Sequence, residues 1–149
     1  GVISVNQNQN LRVASKLKRF YESFEGLTIG VYGLSYKSGT SSIRRSPALE
    51  IIKFLADQGA SIKAYDPKLV KEDLDSYADL FEFFSDPYSV ASGAHAIFFV
   101  TDWPEFSQLD FERIKVSMFY PVLLDALNML NSEYLKELGF MYQGVGRGL

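Results

Sequence analysis

The sequence predicts a doubly wound, mostly parallel, Rossmann-like α/β sheet of five or six strands, flanked by helices and preceded by a connector helix. Strand-like apolar segments alternate with amphipathic helical segments five or six times along the chain. Segment 94–101, AHAIFFVT, is the most apolar run and has the pattern of a strand buried on both faces. No internal repeat or low-complexity segment interrupts the alternation.

Composition limits the classes of protein to which the chain can belong. Its 149 residues, 47% of them hydrophobic, suit one compact domain with a real core. The net charge of -3 provides no broad positive field for nucleic acid or for an anionic membrane surface. With neither a signal-peptide pattern nor an apolar run of the ~20 residues that span a bilayer, we expect a cytoplasmic protein.

The first half of the chain predicts two helices and two strands. Residues 6–24 carry apolar side chains at near-helical spacing with basic residues between them, which predicts an amphipathic helix. A buried strand follows from residue 27, and a helix begins at Ser46 and ends near Gly59. Residues 60–65 predict the second strand.

The second half of the chain continues the alternation. Residues 68–77 form a charged, helical surface segment, and residues 86–93 contain one helical turn. Helices are further predicted at 111–116 and 131–138. The remaining strands are predicted at 80–84, 94–101, 121–125 and 140–145.

The start of the chain predicts a division into two parts. Gly1 is not an initiator methionine and the predicted helix follows almost at once, so we expect a piece of a longer protein or a tag remnant. In this interpretation, residues 1–25 are a connector helix from a missing upstream domain, and residues 26–149 are an α/β domain. The alternative is that the helix packs on its own domain.

The stretch from residue 27 to residue 48 has the pattern of an anion site. A strand ending in Gly30 and Gly33 leads into a loop that contains Lys37, Arg44 and several hydroxyl residues, and Ser46 with Pro47 begins a helix. Helix N-termini and cationic loops both bind phosphate. The alternative is that the glycines merely turn the chain and the charges are solvated.

Other candidate residues carry weaker signals. Asp66 ends the second strand, where an acid can bind a ribose, but the following proline favours a structural turn. Thr101 and Asp102 are candidates by location only, at the carboxyl end of a buried strand. His95 is the single histidine and the chain has no cysteine, so we assign His95 no chemistry and expect no metal site and no disulfide.

Several short motifs, in this order and spacing, resemble the C-terminal domain of the UDP-glucose/GDP-mannose dehydrogenases. These enzymes oxidise the C6 hydroxyl of a nucleotide sugar to a carboxylate with two NAD⁺ per turnover. The resemblance covers nearly the whole chain. The motifs are Val5-Asn6, Gly33-Leu34-Ser35-Tyr36-Lys37, Arg44-Arg45-Ser46-Pro47-Ala48, Tyr65-Asp66-Pro67, Thr101-Asp102-Trp103 and Tyr142-Gln143-Gly144-Val145-Gly146-Arg147.

The resemblance implies roles for four residues. Lys37, with Tyr36 in the same aromatic-lysine pair, is similar to the lysine that reaches the nucleotide sugar. Arg44 is similar to the arginine that approaches NAD, which is held mainly by the missing N-terminal domain. A compact ammonium suits a sugar or phosphate oxygen, and a planar guanidinium suits a bidentate phosphate contact. Asn128 is a partial substitute for an arginine of the nucleotide-sugar site.

Two departures from the family pattern bear on activity. The family has an acid where this chain has Ser42, and it has an Asp-x-Arg strand end where this chain has Asp125-Ala126-Leu127. Leu127 cannot bind phosphate. The catalytic cysteine of the family also belongs to the upstream part, so the resemblance implies no catalytic residue here.

The expected function is therefore that of a nucleotide-sugar-binding domain of an NAD-dependent UDP-sugar 6-dehydrogenase, inactive as an isolated fragment. Its partners would be a UDP-sugar or similar nucleotide sugar and the upstream domains of the same chain, within a homo-oligomer. Two alternatives stay open. One is a non-catalytic nucleotide-binding module that kept the fold, and the other is a mainly structural domain that mediates oligomerisation.

Overall fold

A computed structural model of the protein describes residues 11–34 and 47–144. In these ranges six strands form one sheet in which every neighbouring pair is parallel, which confirms the predicted fold class. The strands are β1 (Thr28–Tyr32), β2 (Ser61–Tyr65), β3 (Glu82–Phe84), β4 (Ala96–Phe99), β5 (Val122–Asp125) and β6 (Met141–Gly144). Their order across the sheet is β3-β2-β1-β4-β5-β6.

Helices connect the strands. Residues 11–15 form α1, which continues as the 3-10 helix Lys16–Arg19. The other α-helices are α2 (Pro47–Asp57), α3 (Pro87–Ala91), α4 (Phe111–Ser117) and α5 (Ser132–Leu138), and further 3-10 helices occupy Lys71–Leu80 and Pro104–Gln108. Among the described residues, no helix is long and apolar enough to cross a membrane.

The predicted elements differ from the observed ones mainly at their ends. The first helix stops at Arg19 instead of residue 24, because Phe24 is buried from a loop that turns the chain into β1. The charged segment after β2 is helical, as predicted, but it is a 3-10 helix that continues to Leu80 and shortens the next strand. The 3-10 helix at Pro104–Gln108 was not predicted, since nothing in its short sequence repeats at helical spacing.

Polar caps set the boundaries of the helices that were predicted best. Asn131 accepts a hydrogen bond from the Tyr134 amide at 3.1 Å and so begins α5. Gly139 ends the same helix with φ of 104°, a backbone conformation that favours glycine. Asp110 begins α4 in the same way, through a 3.1 Å bond from the Arg113 amide. These cap residues are the signals that fix helix ends in a sequence.

The core consists of two layers, one on each face of the sheet. One layer contains the buried side chains of α1 and α2 and of the 3-10 helix Lys71–Leu80, and the other contains those of α3, α4 and α5. The second layer is rich in aromatic rings, with Tyr32 stacked on Phe99 at 4.4 Å between ring centroids. Alternate residues of β1 and β4 enter opposite layers, so β4 is apolar throughout, as the sequence predicts, and β1 is buried at every position after Thr28.

The segment before β1 packs on this domain. Val13, Ala14 and Leu17 are almost completely buried and belong to the same cluster as Leu124 and Ala126. The apolar face of the predicted helix is therefore covered by its own sheet. The role of residues 1–25 as a connector to another domain stays a prediction.

Candidate functional site

The strand order places a crevice at the carboxyl edge of the sheet. From β1 the chain proceeds outward through β2 and β3, and then returns to build β4, β5 and β6 on the other side. In open parallel sheets, ligands bind beyond the carboxyl ends of the two strands where the direction reverses. Here these are β1 and β4, which end next to Gly33 and Thr101. The carboxyl edge, where the sequence predicts a ligand site, is therefore the edge at which this strand order forms a crevice.

Gly33 and Thr101 meet closely at this reversal point. Gly33 has φ of 103°, and a Cβ at this position would collide with the Thr101 hydroxyl oxygen and lie 3.0 Å from the Thr101 amide nitrogen. The absence of a side chain therefore lets the end of β1 lie directly against the end of β4. Gly33 and Thr101 therefore determine the shape of the crevice floor.

The end of β4 holds two buried polar atoms, the Thr101 hydroxyl oxygen and the Trp103 indole nitrogen, that have no hydrogen-bond partner among residues 11–34 and 47–144. Lys68 lies over the Trp103 ring at 5.5 Å and pairs with Glu105 at 3.6 Å. An unpaired buried polar group costs about 1–3 kcal/mol, so proteins seldom retain one. Unused hydrogen-bonding capacity is thus concentrated at the reversal point.

Asp66 holds the end of β1 in place. Its carboxylate is buried and accepts bonds of 2.7 Å from the amides of Leu34 and Lys68. Both of its oxygens thus bind backbone, which supports the structural interpretation made from the sequence. The residue shapes the start of the loop that leaves β1.

Asp125 organises the loop that follows β5. Its side chain is fully buried, and it accepts bonds from the Leu127 amide at 3.2 Å, the Leu130 amide at 2.9 Å and the Tyr142 hydroxyl at 2.8 Å. Sequence reasoning placed an acid at this strand end but missed its role. An aspartate that binds the amide two residues later is a common turn signal, which could have revealed it.

Asn128 lies at the tip of this loop. Its φ is 53°, a left-handed conformation that asparagine tolerates better than most residues. Its amide oxygen lies so close over Gly144 that a Cβ there would collide with it. Asn128 is therefore at the carboxyl edge of the sheet, beside the end of β6. Its neighbour Leu127 is 48% exposed.

Two basic side chains from the segment before β1 also reach this edge. The Lys16 ammonium donates a 2.6 Å hydrogen bond to the carbonyl oxygen of Gly144, and Arg19 donates a 3.0 Å bond to the Gln143 side chain. Sequence reasoning missed both residues as members of a site. Their three-residue spacing places both on one face of the first helix, but no local pattern in the sequence indicates that this face reaches the end of β6.

The remaining sequence candidates divide into two groups. Tyr36, Lys37 and Arg44 lie outside the described residues, within the segment that joins the end of β1 to the start of α2. His95 is described, and it lies at the amino end of β4, where its Nδ1 accepts a 3.0 Å bond from the Thr28 amide. This bond gives His95 a structural role at the amino edge of the sheet. In the part of the chain that the structure describes, no group of acidic or histidine side chains could hold a metal ion.

Residues 30–132 match the family described as "UDP-glucose/GDP-mannose dehydrogenase family, UDP binding domain". The chain is 34% identical over 146 residues to the UDP-glucose 6-dehydrogenase TuaD of Bacillus subtilis, covering 98% of this chain and 32% of that protein. It spans about a third of the length of the curated relatives it matches.

Solved structures share the fold. A UDP-D-ManNAc dehydrogenase from Pyrococcus horikoshii is 28% identical, with a TM-score of 0.67 over 96% of this chain and 30% of that one. An NDP-N-acetyl-D-galactosaminuronic acid dehydrogenase from Methanosarcina mazei has a TM-score of 0.79 at 21% identity, over 95% of this chain and 29% of that one. At that identity the second comparison shows the fold alone.

Proposed function

We propose, from the premise that this chain belongs to the UDP-glucose/GDP-mannose dehydrogenase family, that it is the C-terminal nucleotide-sugar-binding domain of an NAD-dependent UDP-sugar 6-dehydrogenase. The substrate would be of the UDP-glucose, UDP-N-acetylhexosamine or GDP-mannose type. The observation that carries the proposal is the match of residues 30–132 to a UDP binding domain. The same residues build the β1–β4 reversal point, where parallel sheets bind nucleotides.

The ligand would lie along the carboxyl edge. Lys37 and Tyr36 belong to the loop that leaves β1, so they would approach the nucleotide sugar from that side. Asn128 approaches from the β5 loop, and its amide can both donate and accept hydrogen bonds from a sugar or a base. Arg44 would face the cofactor from the same loop as Lys37.

The two glycines near the end of β1, Gly30 and Gly33, both make close packing contacts within this domain. A Cβ on Gly30 would lie 2.8 Å from the Val90 side chain, so this glycine serves the packing of α3 against the sheet. Gly33 is covered by Thr101 in the same way. Close packing within this domain thus accounts for both glycines, which supports a main NAD site in another part of the protein.

This chain would form one wall of the active site without performing the oxidation. Covalent oxidation in the family needs a cysteine thiolate, and the sequence has no cysteine. The residues named above bind and orient the nucleotide sugar, while the thiolate and the hydride acceptor come from the rest of the protein.

A second candidate function is a binding or oligomerisation module that kept the fold and lost part of the site. The exposed Leu127 favours it, because an apolar side chain occupies the position where the family has its arginine. If the chain is an oligomerisation module, no nucleotide sugar binds at the carboxyl edge.

Calorimetric titration with UDP-glucuronate and, separately, with NAD⁺ tests the proposal. We expect the Lys37→Ala variant to bind UDP-glucuronate at least ~10-fold more weakly than the wild type, a loss of about 1.4 kcal/mol. The difference should shrink at moderate salt, because screening weakens a charge contact. Lys53→Ala is the matched control, since Lys53 is exposed on α2. Equal binding by both variants would contradict the assigned role of Lys37.

A further inference from the structure

Lys16 is an unusual residue in this structure because its charged side chain is buried. Lys16 is 6% exposed. Its ammonium donates a hydrogen bond to a neutral acceptor, the carbonyl oxygen of Gly144. An ammonium carries three donors and a full positive charge. A buried charge is stable when a counter-charge or a full set of hydrogen bonds compensates it. The Gly144 carbonyl alone provides neither.

The neighbouring charges increase the imbalance. Arg12 and Arg19 lie four residues before and three residues after Lys16, which is the spacing of one helix face. Burial lowers the pKa of Lys16, and repulsion from Arg19 and then Arg12 lowers the pKa further. None of these three side chains forms an ion pair with any residue in 11–34 or 47–144. In these ranges, the ion pair that is present joins Lys68 to Glu105 instead.

The position of this cationic group connects it to the ligand edge. Lys16 and Arg19 both bond to the end of β6, and Gly144, which accepts from Lys16, lies directly under the Asn128 amide. Strands β1 and β6 are three steps apart in the sheet, roughly 14 Å at the usual strand spacing. An extended phosphorylated ligand can therefore contact the β1 loop and the end of β6 together.

We propose that Lys16, flanked by Arg12 and Arg19, forms an anion-binding subsite at the carboxyl end of β6 that takes a phosphate group. This inference rests on the proposed function, because it extends the nucleotide-sugar edge from β1 and β5 to β6. The phosphate would supply the counter-charge that no described residue provides to Lys16. Asn128 would contact the same ligand from the adjacent loop.

The test follows the binding of inorganic pyrophosphate, UDP and UDP-glucuronate by calorimetry and by the backbone amide signals of Gln143 and Gly144. In the wild type, all three compounds should shift both signals, and uridine, which lacks phosphate, should not. Lys16→Met should weaken UDP binding at least tenfold, whereas Lys16→Arg, which keeps the charge, should retain most of it. Lys18→Met is the matched control, because Lys18 is exposed in the same 3-10 helix.

A second variant keeps the test decisive if Lys16→Met fails to fold. Both Arg12 and Arg19 are exposed, so the double variant R12A/R19A should fold and should bind UDP several-fold more weakly at low salt. Unchanged UDP affinity in this variant would overturn the subsite, as would wild-type Gln143 and Gly144 signals that do not respond to any phosphate compound. If binding is lost in Lys37→Ala but kept in the Lys16 and arginine variants, the subsite fails while the proposed function stands.

Discussion

Replacing Asp125 with alanine should lower the free energy of unfolding by about 3–5 kcal/mol, because three donors, one buried and two partly buried, lose the same buried acceptor at once. The Leu127 and Leu130 amides and the Tyr142 hydroxyl all bond to this one carboxylate. The alanine side chain replaces none of these bonds. Urea unfolding followed by circular dichroism measures the loss directly.

The same substitution should also release the loop that carries Asn128. Asp125→Asn keeps one acceptor oxygen but presents an N–H group to the remaining donors, so we expect an intermediate loss of about 2 kcal/mol. Asp110→Ala is the matched control, because Asp110 is an exposed helix cap and should cost about 1 kcal/mol. A loss in Asp125→Ala no larger than that of Asp110→Ala would show that the Asp125 bonds do not hold the loop.

Gly33→Ala should have a comparably large effect, a loss of about 2–4 kcal/mol. The backbone at φ of 103° strains any residue with a Cβ, and that Cβ would collide with Thr101. To relieve the collision, the ends of β1 and β4 must separate, which changes the floor of the crevice. Thermal and urea unfolding measure the first effect, and UDP-glucuronate affinity measures the second.

The variant Gly26→Ala separates the cost of backbone strain from the cost of a steric collision. It also has a positive φ, 80°, but a Cβ there would meet nothing within 4 Å, so Gly26→Ala should cost about 1 kcal/mol. The excess loss in Gly33→Ala therefore measures the contact with Thr101. Adding Thr101→Ala to Gly33→Ala should recover part of this excess, because the hydroxyl oxygen is removed. If the double variant recovers no stability, the excess loss in Gly33→Ala does not come from the contact with Thr101.

The fold was predictable because local signals agree along the whole chain. Apolar strands such as β4 and β5 enter both core layers, so their sequences lack polar alternation and indicate a parallel sheet. Cap residues such as Asn131 and Gly139 fix helix ends by hydrogen bonds within a few residues. The exact end of the first helix was not predictable, because the burial of Phe24 depends on tertiary contacts that helical periodicity does not encode.

The candidate site was predictable in location and only partly in membership. Strand ends gather at one edge in any parallel sheet, so Thr101 could be placed there from the sequence, whereas Asn128 was named only through the family resemblance. Lys16 could not, because its bond to Gly144 joins residues far apart in the chain and follows no local pattern. The contact between Gly33 and Thr101 likewise depends on the pairing of β1 with β4.

The central claim is that a nucleotide sugar binds at the carboxyl edge of this sheet. Titrating the chain with UDP-glucuronate while following its backbone amide signals tests it most directly. The largest shifts should occur at Leu34, Thr101 and Asn128, which border the crevice. No shifts at saturating ligand, or the largest shifts at His95 and Phe119 on the amino edge, would contradict the claim.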